Sequence, residues 1–118
     1  MRVLVCGGRN YENYSLVERR LSSLLPKLKM IIHGAATGAD SPAQRFAEEN
    51  EIPVIQFPAR WDLYGRAAGP IRNQEMLEIG CPDLVMAFPG GRGTAGMVRL
   101  ARMANVKVEE IRDISLDK

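Results

Sequence analysis

The 118-residue chain has few histidines and cysteines, the side chains that form structural zinc sites and, in the case of cysteine, disulfides. It contains one histidine and two cysteines, Cys6 and Cys81, which do not form the clustered pattern of a zinc site. Because Cys6 lies inside a short apolar run, a buried thiol is favoured over a disulfide. We therefore expect neither a metal site nor a disulfide framework.

The chain also lacks a strong net charge, a high aromatic content and long apolar segments. Its net charge of +2 and its aromatic content of 6% argue against nucleic acid as a partner. No segment reaches the ~18 apolar residues of a membrane-spanning helix, and the apolar run at residues 1–6 is too short for a signal peptide. We expect a cytoplasmic protein that does not bind membranes.

Apolar runs alternate with helical patterns along the chain, and this order predicts an α/β fold. With 46% hydrophobic and 25% charged residues, the chain is typical of one globular domain, residues 1–118. The alternation predicts a Rossmann-like, doubly wound, mainly parallel five-stranded sheet with helices on both faces. The expected strands are residues 2–6, 30–33, 53–57, 83–88 and 106–111, and the expected helices are residues 15–29, 40–50, 70–79 and 95–105.

The segment Pro89-Gly90-Gly91-Arg92-Gly93-Thr94 is the most informative part of the sequence. It joins an expected strand to an expected helix, and its glycines let the backbone turn tightly and approach a ligand closely. The N–H groups and the dipole of a helix start attract an anion, while Thr94 is suited to capping the helix or to donating its hydroxyl to phosphate. The segment therefore predicts a phosphate-binding loop.

Three other distinctive loops also follow expected strands. They are Gly7-Gly8-Arg9, residues 34–40 and residues 58–61. In a parallel sheet, all of these loops lie at the same end, where doubly wound sheets bind ligands near the switch in strand order. The sequence therefore predicts one ligand crevice bordered by several loops.

These loops carry a resemblance to a known family. The matching blocks are Gly7-Gly8-Arg9 and residues 33–40, 58–61, 64–76 and 89–94, which span nearly the whole chain. The pattern resembles the YspA-type (cpYpsA-related) branch of the SLOG superfamily, which is related to the LOG-type nucleoside monophosphate phosphoribohydrolases and to the DNA-processing protein DprA. The resemblance implies a Rossmann-like fold and a pocket for a nucleotide or a nucleotide-derived ligand.

The chain departs from the hydrolases at the positions that carry their catalysis. In LOG-type hydrolases, glutamates closely follow the glycine-threonine turn, and the matching positions here are Gly96 and Met97. Cleavage of an N-glycosidic bond passes through an oxocarbenium-like centre that a carboxylate stabilises. The sequence therefore favours a sensor or binding module over an enzyme. A phosphoribohydrolase is the alternative, with Asp40 and Glu75 as candidate catalytic carboxylates.

The expected ligand site combines these loops with the start of helix 70–79. Phosphate is expected on the glycine-rich turn, with the loops after the first two strands opposite it and an arginine-asparagine clamp at the side. The expected binding residues are Gly8, Arg9, Gly34, Thr37, Gly38, Asp40, Arg72, Asn73, Gly90, Gly91, Gly93 and Thr94. Further candidates are Trp61, Arg66 and Arg92. Trp61 is suited to stacking on a base or to packing within its loop or against a subunit.

Several alternatives stay open at the level of sequence. Asp40 precedes Ser41-Pro42 and is also a strong helix N-cap. The helical spacing of Met97, Leu100 and Met103 is typical of core or of a homo-oligomer surface, and together with the resemblance it leads us to expect a homo-oligomer. We expect no cofactor apart from a possible nucleotide ligand. A DprA-like binder of single-stranded nucleic acid is a third interpretation, against which the low charge and the few aromatics count.

Overall fold

The computed structural model describes residues 1–35 and 40–116, which contain a five-stranded sheet. Its strands are β1 (Arg2–Cys6), β2 (Met30–His33), β3 (Val54–Gln56), β4 (Leu84–Ala87) and β5 (Lys107–Glu110). All neighbouring strands are parallel, and their order is β3-β2-β1-β4-β5. The expected Rossmann-like parallel sheet is therefore confirmed.

Helices connect the strands in the order that the sequence predicts. In the described ranges, the α-helices are α1 (Tyr14–Ser22), α2 (Asp40–Glu49), α3 (Trp61–Tyr64), α4 (Ala68–Glu78) and α5 (Arg92–Met103), and short 3₁₀ segments cover Gly65–Ala67 and Ile114–Leu116. Within the same ranges, none of the helices combines the length and the apolar character needed to cross a membrane.

The helices differ most from the sequence-based expectation in three places. The first helix ends at Ser22 rather than near residue 29, because Pro26 disfavours helical backbone at the preceding residue. No helix is among the expected elements between residues 57 and 70, but this segment contains α3 and a 3₁₀ turn. The last helix begins at Arg92 rather than at residue 95, with Gly91 as its N-cap. Of the two roles given for Thr94, capping is therefore excluded, because Thr94 lies within the first turn.

Side chains alternate between the two faces of the sheet, as the pleat of a strand requires. On one face, α1 and α2 cover strand residues such as Val3, with Phe46 among the fully buried side chains. On the other face, α4 and α5 cover strand residues such as Leu4, and they contribute the side chains of Met76 and Met97. Helices on both faces were expected, and this expectation is confirmed.

The direction in which strands are added reverses between β1 and β4. The chain proceeds from β1 outward through β2 to β3, and it then returns to place β4 on the other side of β1. Because all strands are parallel, the segments that follow them begin at one end of the sheet, called the carboxyl end below. The loops after β1 and β4 are neighbours there, at the type of position where doubly wound sheets bind ligands.

A buried carboxylate attaches the C-terminal segment to the loop after β1. Asp113 accepts hydrogen bonds from the Tyr11 hydroxyl at 2.8 Å and from the Asn13 amide at 3.0 Å, and from the hydroxyl and backbone N–H of Ser115. The Tyr11 ring stacks on Phe88, with ring centroids 5.7 Å apart. The bond from Ser115, followed by those from Asn13 and Tyr11, lowers the pKa of Asp113 to about 2.

This lowered pKa predicts a specific pH dependence of stability. The ordinary value is 3.8, so the unfolded chain takes up this proton at a higher pH than the folded chain does. The stabilising effect of the carboxylate is therefore complete above about pH 5 and is lost as the pH falls through about 2. In urea unfolding, Asp113→Asn should be less stable than wild type at neutral pH, and this difference should shrink toward about pH 2.

Two further variants make this experiment specific. Tyr11→Phe keeps the stacked ring and removes one hydrogen bond to a charged group, so we expect it to lower the free energy of unfolding by about 1.5 kcal/mol. Glu12→Gln removes an exposed carboxylate from the same loop and controls for the loss of one negative charge. Equal stability of wild type and Asp113→Asn at neutral pH would contradict the role given to this carboxylate.

Candidate functional site

The N-terminus of α5 opens at the carboxyl end of the sheet. Its first helical hydrogen bond runs from the Ala95 N–H to the Gly91 carbonyl at 3.0 Å. The N–H groups before Ala95 therefore have no acceptor within the helix, and the N-cap Gly91 has no side chain to offer them one. Among residues 1–35 and 40–116, a Cβ added to Gly91 or Gly93 would meet no atom within 4 Å. These two glycines border open space rather than packed protein.

The loops after β1 and β4 touch backbone to backbone. The Gly8 N–H donates a hydrogen bond to the Pro89 carbonyl at 2.9 Å. A Cβ on Gly8 would lie 3.1 Å from the Gly90 Cα, while a Cβ on Gly90 would overlap the Thr94 hydroxyl and lie 2.6 Å from the Gly8 nitrogen. Gly90 has no room for a side chain and Gly8 has little. The contact needs glycine on both sides. The side chain of Thr94 packs against the turn at Gly90.

Arg72 and Asn73 connect the end of β2 to the first turn of α5. Arg72 donates from Nη1 to the Gly34 carbonyl at 3.0 Å and from Nε to Oδ1 of Asn73 at 3.0 Å. Asn73 is 6% exposed, and its Nδ2 donates to the Gly93 carbonyl at 3.3 Å. A Cβ on Gly34 would overlap the guanidinium of Arg72. The structure therefore brings together four of the predicted site residues, Gly34, Arg72, Asn73 and Gly93.

His33 stabilises the backbone just after β2 instead of facing a crevice. It is 2% exposed, its Nδ1 accepts a hydrogen bond from the Ala35 N–H at 2.9 Å, and its Nε2 lies 2.6 Å from Oε1 of Gln44. Because Nδ1 accepts, the proton belongs on Nε2, which donates to Gln44. Ala35 has a φ of 57°, in the left-handed region that a non-glycine residue rarely adopts. The histidine helps to hold this uncommon turn.

The other predicted site residues lie around this centre or outside the described ranges. Arg9, Trp61, Arg66 and Arg92 are exposed, and Arg92 forms the first residue of α5. Asp40 begins α2, as predicted. Its side chain and the residues Thr37 and Gly38 lie outside the described part of the structure.

The positions that would carry hydrolase carboxylates do not supply them. Met97 is 1% exposed and packs in the apolar core against β1 and β4. A Cβ on Gly96 would be 4.0 Å from Nδ2 of Asn73, so this position faces the clamp but carries no side chain. Glu75 is exposed on α4, one turn farther from the carboxyl end than Arg72. Within residues 1–35 and 40–116, no three His, Cys, Asp or Glu side chains are grouped to hold a metal ion.

The sequence did not predict the hydrogen bonds between the protein's own residues that hold the site together. Asn73 was expected to face a ligand, yet its amide is bonded to the chain itself. The interaction of His33 with Gln44 and the uncommon backbone of Ala35 leave no pattern in a single sequence. The Asp113-Ile114-Ser115 turn does have a local signal, because aspartate favours such turns, but its connection to Tyr11 is visible only in the fold.

A groove on another part of α5 has a different lining from this site. It measures about 480 Å³, lies between α5 and β5, and is lined by Ala95, Val98, Arg99, Arg102, Met103 and Glu110. Of the three residues expected to form core or an oligomer surface, Met97 is core, Leu100 is half-buried and Met103 is 75% exposed. Because the groove is lined by α5 and β5 and by none of the glycines of the loops, it is not the crevice that the sequence predicts.

The chain is similar in sequence to a known family and to a known protein. The model of the YspA, cpYpsA-related SLOG family matches residues 1–64, which is more than half of the chain. The Gene 61 protein of Mycobacterium phage D29 is 34% identical over 122 residues, covering 95% of this chain and 97% of that protein. The second similarity therefore extends far beyond the segment that the family model matches.

Substitution of two glycines by alanine should have opposite effects on stability. In Gly90→Ala, the new methyl group would overlap Thr94 and crowd the backbone of Gly8, so we expect a loss of about 2 kcal/mol. In Gly93→Ala, the methyl group enters open space in the first turn of a helix, and stability should stay equal or rise by up to about 1 kcal/mol. Urea unfolding of both variants measures this contrast, and equal losses would contradict the described packing.

Proposed function

Because this chain belongs to the YspA, cpYpsA-related SLOG family, we propose that it binds a nucleotide or a nucleotide-derived small molecule. Membership of this family suggests a nucleotide-related binding or modifying role. Within that role, we favour a sensor or binding module that holds the phosphate of its ligand at the N-terminus of α5. The observation that carries the proposal is that Gly91 and Gly93 border open space at this helix start.

The start of α5 has the properties that an anion requires. The N–H groups of the first turn point out of the helix, and the helix dipole adds a partial positive charge. An N-cap such as Asp or Ser would accept a hydrogen bond from one of these N–H groups with its side chain, whereas Gly91 has no side chain with which to do so. A glycine that neither packing nor a left-handed φ demands is explained by a ligand that approaches the backbone.

Arg72 would supply a fixed positive charge beside this phosphate. Its guanidinium is held by the Gly34 carbonyl and by Asn73, which is itself held by the Gly93 carbonyl of α5. A guanidinium stays protonated in such hydrogen bonds, so the anchored side chain keeps its positive charge. The opposite wall would come from Gly8 and Arg9, which follow β1 next to the glycine-rich turn.

The same geometry favours binding over hydrolysis. Cleavage of a nucleoside monophosphate to base and ribose phosphate needs a carboxylate near the ribose. The buried side chain of Met97 and the missing side chain of Gly96 leave the first turns of α5 without one. Phosphoribohydrolase activity therefore remains the alternative, and it would require a carboxylate from another loop.

A change of one charge at Gly91 tests the phosphate site. Asp and Asn are both good N-caps, so Gly91→Asp and Gly91→Asn should fold with equal or higher stability. The aspartate places a negative charge where the phosphate is expected, so we expect Gly91→Asp to weaken AMP binding at least tenfold more than Gly91→Asn does. Isothermal titration calorimetry with AMP measures this difference, and a thermal-shift screen of NAD, ADP-ribose and cyclic nucleotides extends it to other ligands.

Two controls define what would contradict the proposal. Binding of adenosine, which has no phosphate, should be equally affected in the two variants. Equal AMP affinity of wild type and a folded Gly91→Asp would contradict a phosphate site at α5, and no binding of any nucleotide in the screen would contradict the proposed function. Release of adenine from AMP, lost in Asp40→Asn or Glu75→Gln, would instead favour the hydrolase.

A further inference from the structure

An exposed aromatic side chain lies at the carboxyl end of the sheet, beside the arginine clamp. Trp61 is the only tryptophan of the chain. It is 53% exposed at the start of the short helix α3, which follows β3. Burying an aromatic ring is strongly favourable, so a half-exposed indole leaves a large apolar surface that a ligand could cover.

The position of the ring is set by α4. The Cη2 atom of Trp61 lies 3.5 Å from where a Cβ of Gly69 would be, so the tip of the indole rests on the first turn of this helix. Arg72 follows Gly69 by three residues on α4, which places it on the same side of the helix about 4.5 Å farther along the axis. Trp61 and Arg72 are therefore neighbours along one wall.

This wall leads from the proposed phosphate position to the indole. Asn73 is bonded to the Gly93 carbonyl in the first turn of α5, Arg72 is bonded to Asn73, and Trp61 lies over the preceding turn of α4. A ligand with its phosphate at α5 that extends along α4 toward the N-terminus of that helix reaches Trp61 at its other end. A ribose between phosphate and base gives a nucleotide this extended shape.

We propose that the exposed face of Trp61 stacks on the base of the ligand, so that the site selects nucleotides over sugar phosphates. This inference rests on the proposed function. It concerns the base of the ligand, which the phosphate site does not contact. Stacking on an aromatic ring tolerates different bases, because each base has a π-face. Discrimination among bases would therefore come from other groups, while discrimination against ribose 5-phosphate comes from Trp61.

Because the chain has one tryptophan, its fluorescence reports on this residue alone. Titration of the wild-type protein with AMP, GMP, CMP and UMP should change the emission of Trp61, whereas ribose 5-phosphate should bind without a comparable change. Trp61→Ala should weaken nucleotide binding about tenfold or more and leave the affinity for ribose 5-phosphate unchanged, as measured by calorimetry. Trp61→Phe should restore most of the nucleotide affinity.

A matched control is available on the same short helix. Leu63 is 60% exposed and lies two residues after Trp61, which turns it about 200° away around the helix. Leu63→Ala removes a comparable exposed apolar side chain and should leave nucleotide affinity unchanged. If Leu63→Ala weakens binding as much as Trp61→Ala does, the effect belongs to the segment as a whole and the stacking role is wrong.

The remaining outcomes separate this inference from the function on which it rests. Equal loss of nucleotide and ribose 5-phosphate affinity in Trp61→Ala would indicate a structural role and overturn the stacking role alone. If nucleotides bind without changing the fluorescence, and if Trp61→Ala sediments as a smaller oligomer than the wild type, the indole belongs to a subunit contact instead. If the wild type binds neither nucleotides nor ribose 5-phosphate, the proposed function is overturned as well.

Discussion

The contact between the backbones of Gly8 and Gly90 is the constraint on which the rest of the site depends. It joins the loops after β1 and β4 where the direction of strand addition reverses, through a hydrogen bond of 2.9 Å from Gly8 to Pro89. Because this approach leaves so little room for side chains, the turn after β4 is short and α5 begins at once, at Arg92. The helix start is thereby placed at the carboxyl end of the sheet, with Gly91 and Gly93 on its outer side.

A second set of contacts holds the opposite side of this helix start. Arg72 and Asn73 extend from α4 and bond to carbonyl groups of Gly34 and Gly93. Buried polar groups of this kind are costly unless they are satisfied, and here the protein satisfies them without a ligand. The site is therefore arranged in advance, so little conformational entropy would be lost on binding. Most of its groups are backbone atoms, which explains why it is rich in glycine.

Structural features that depend on local sequence patterns are predicted well from the sequence. Features that depend on contacts between distant residues are predicted poorly. The bounds of β1 and β2 are predicted to the residue, because each apolar run stops at a glycine. The parallel order follows from the alternation of elements. By contrast, the early start of α5 depends on the contact with Gly8, and the inward direction of Asn73 depends on α5. Met97 illustrates the difference, because only the fold shows that it belongs to the core and not to the crevice.

The carboxylate of Asp113 also has a consequence for how the chain folds during its synthesis. Its bond to Tyr11 joins residues that are 102 positions apart, so it is among the most non-local contacts that a chain of this length can form. During synthesis the N-terminal part emerges first, and the loop that carries Gly8 then lacks the partner that anchors Tyr11. A ribosome-bound fragment could pair β1 with β2 while this loop stays unanchored. The glycine contact would consequently reach its final geometry only after the turn around Asp113 has emerged.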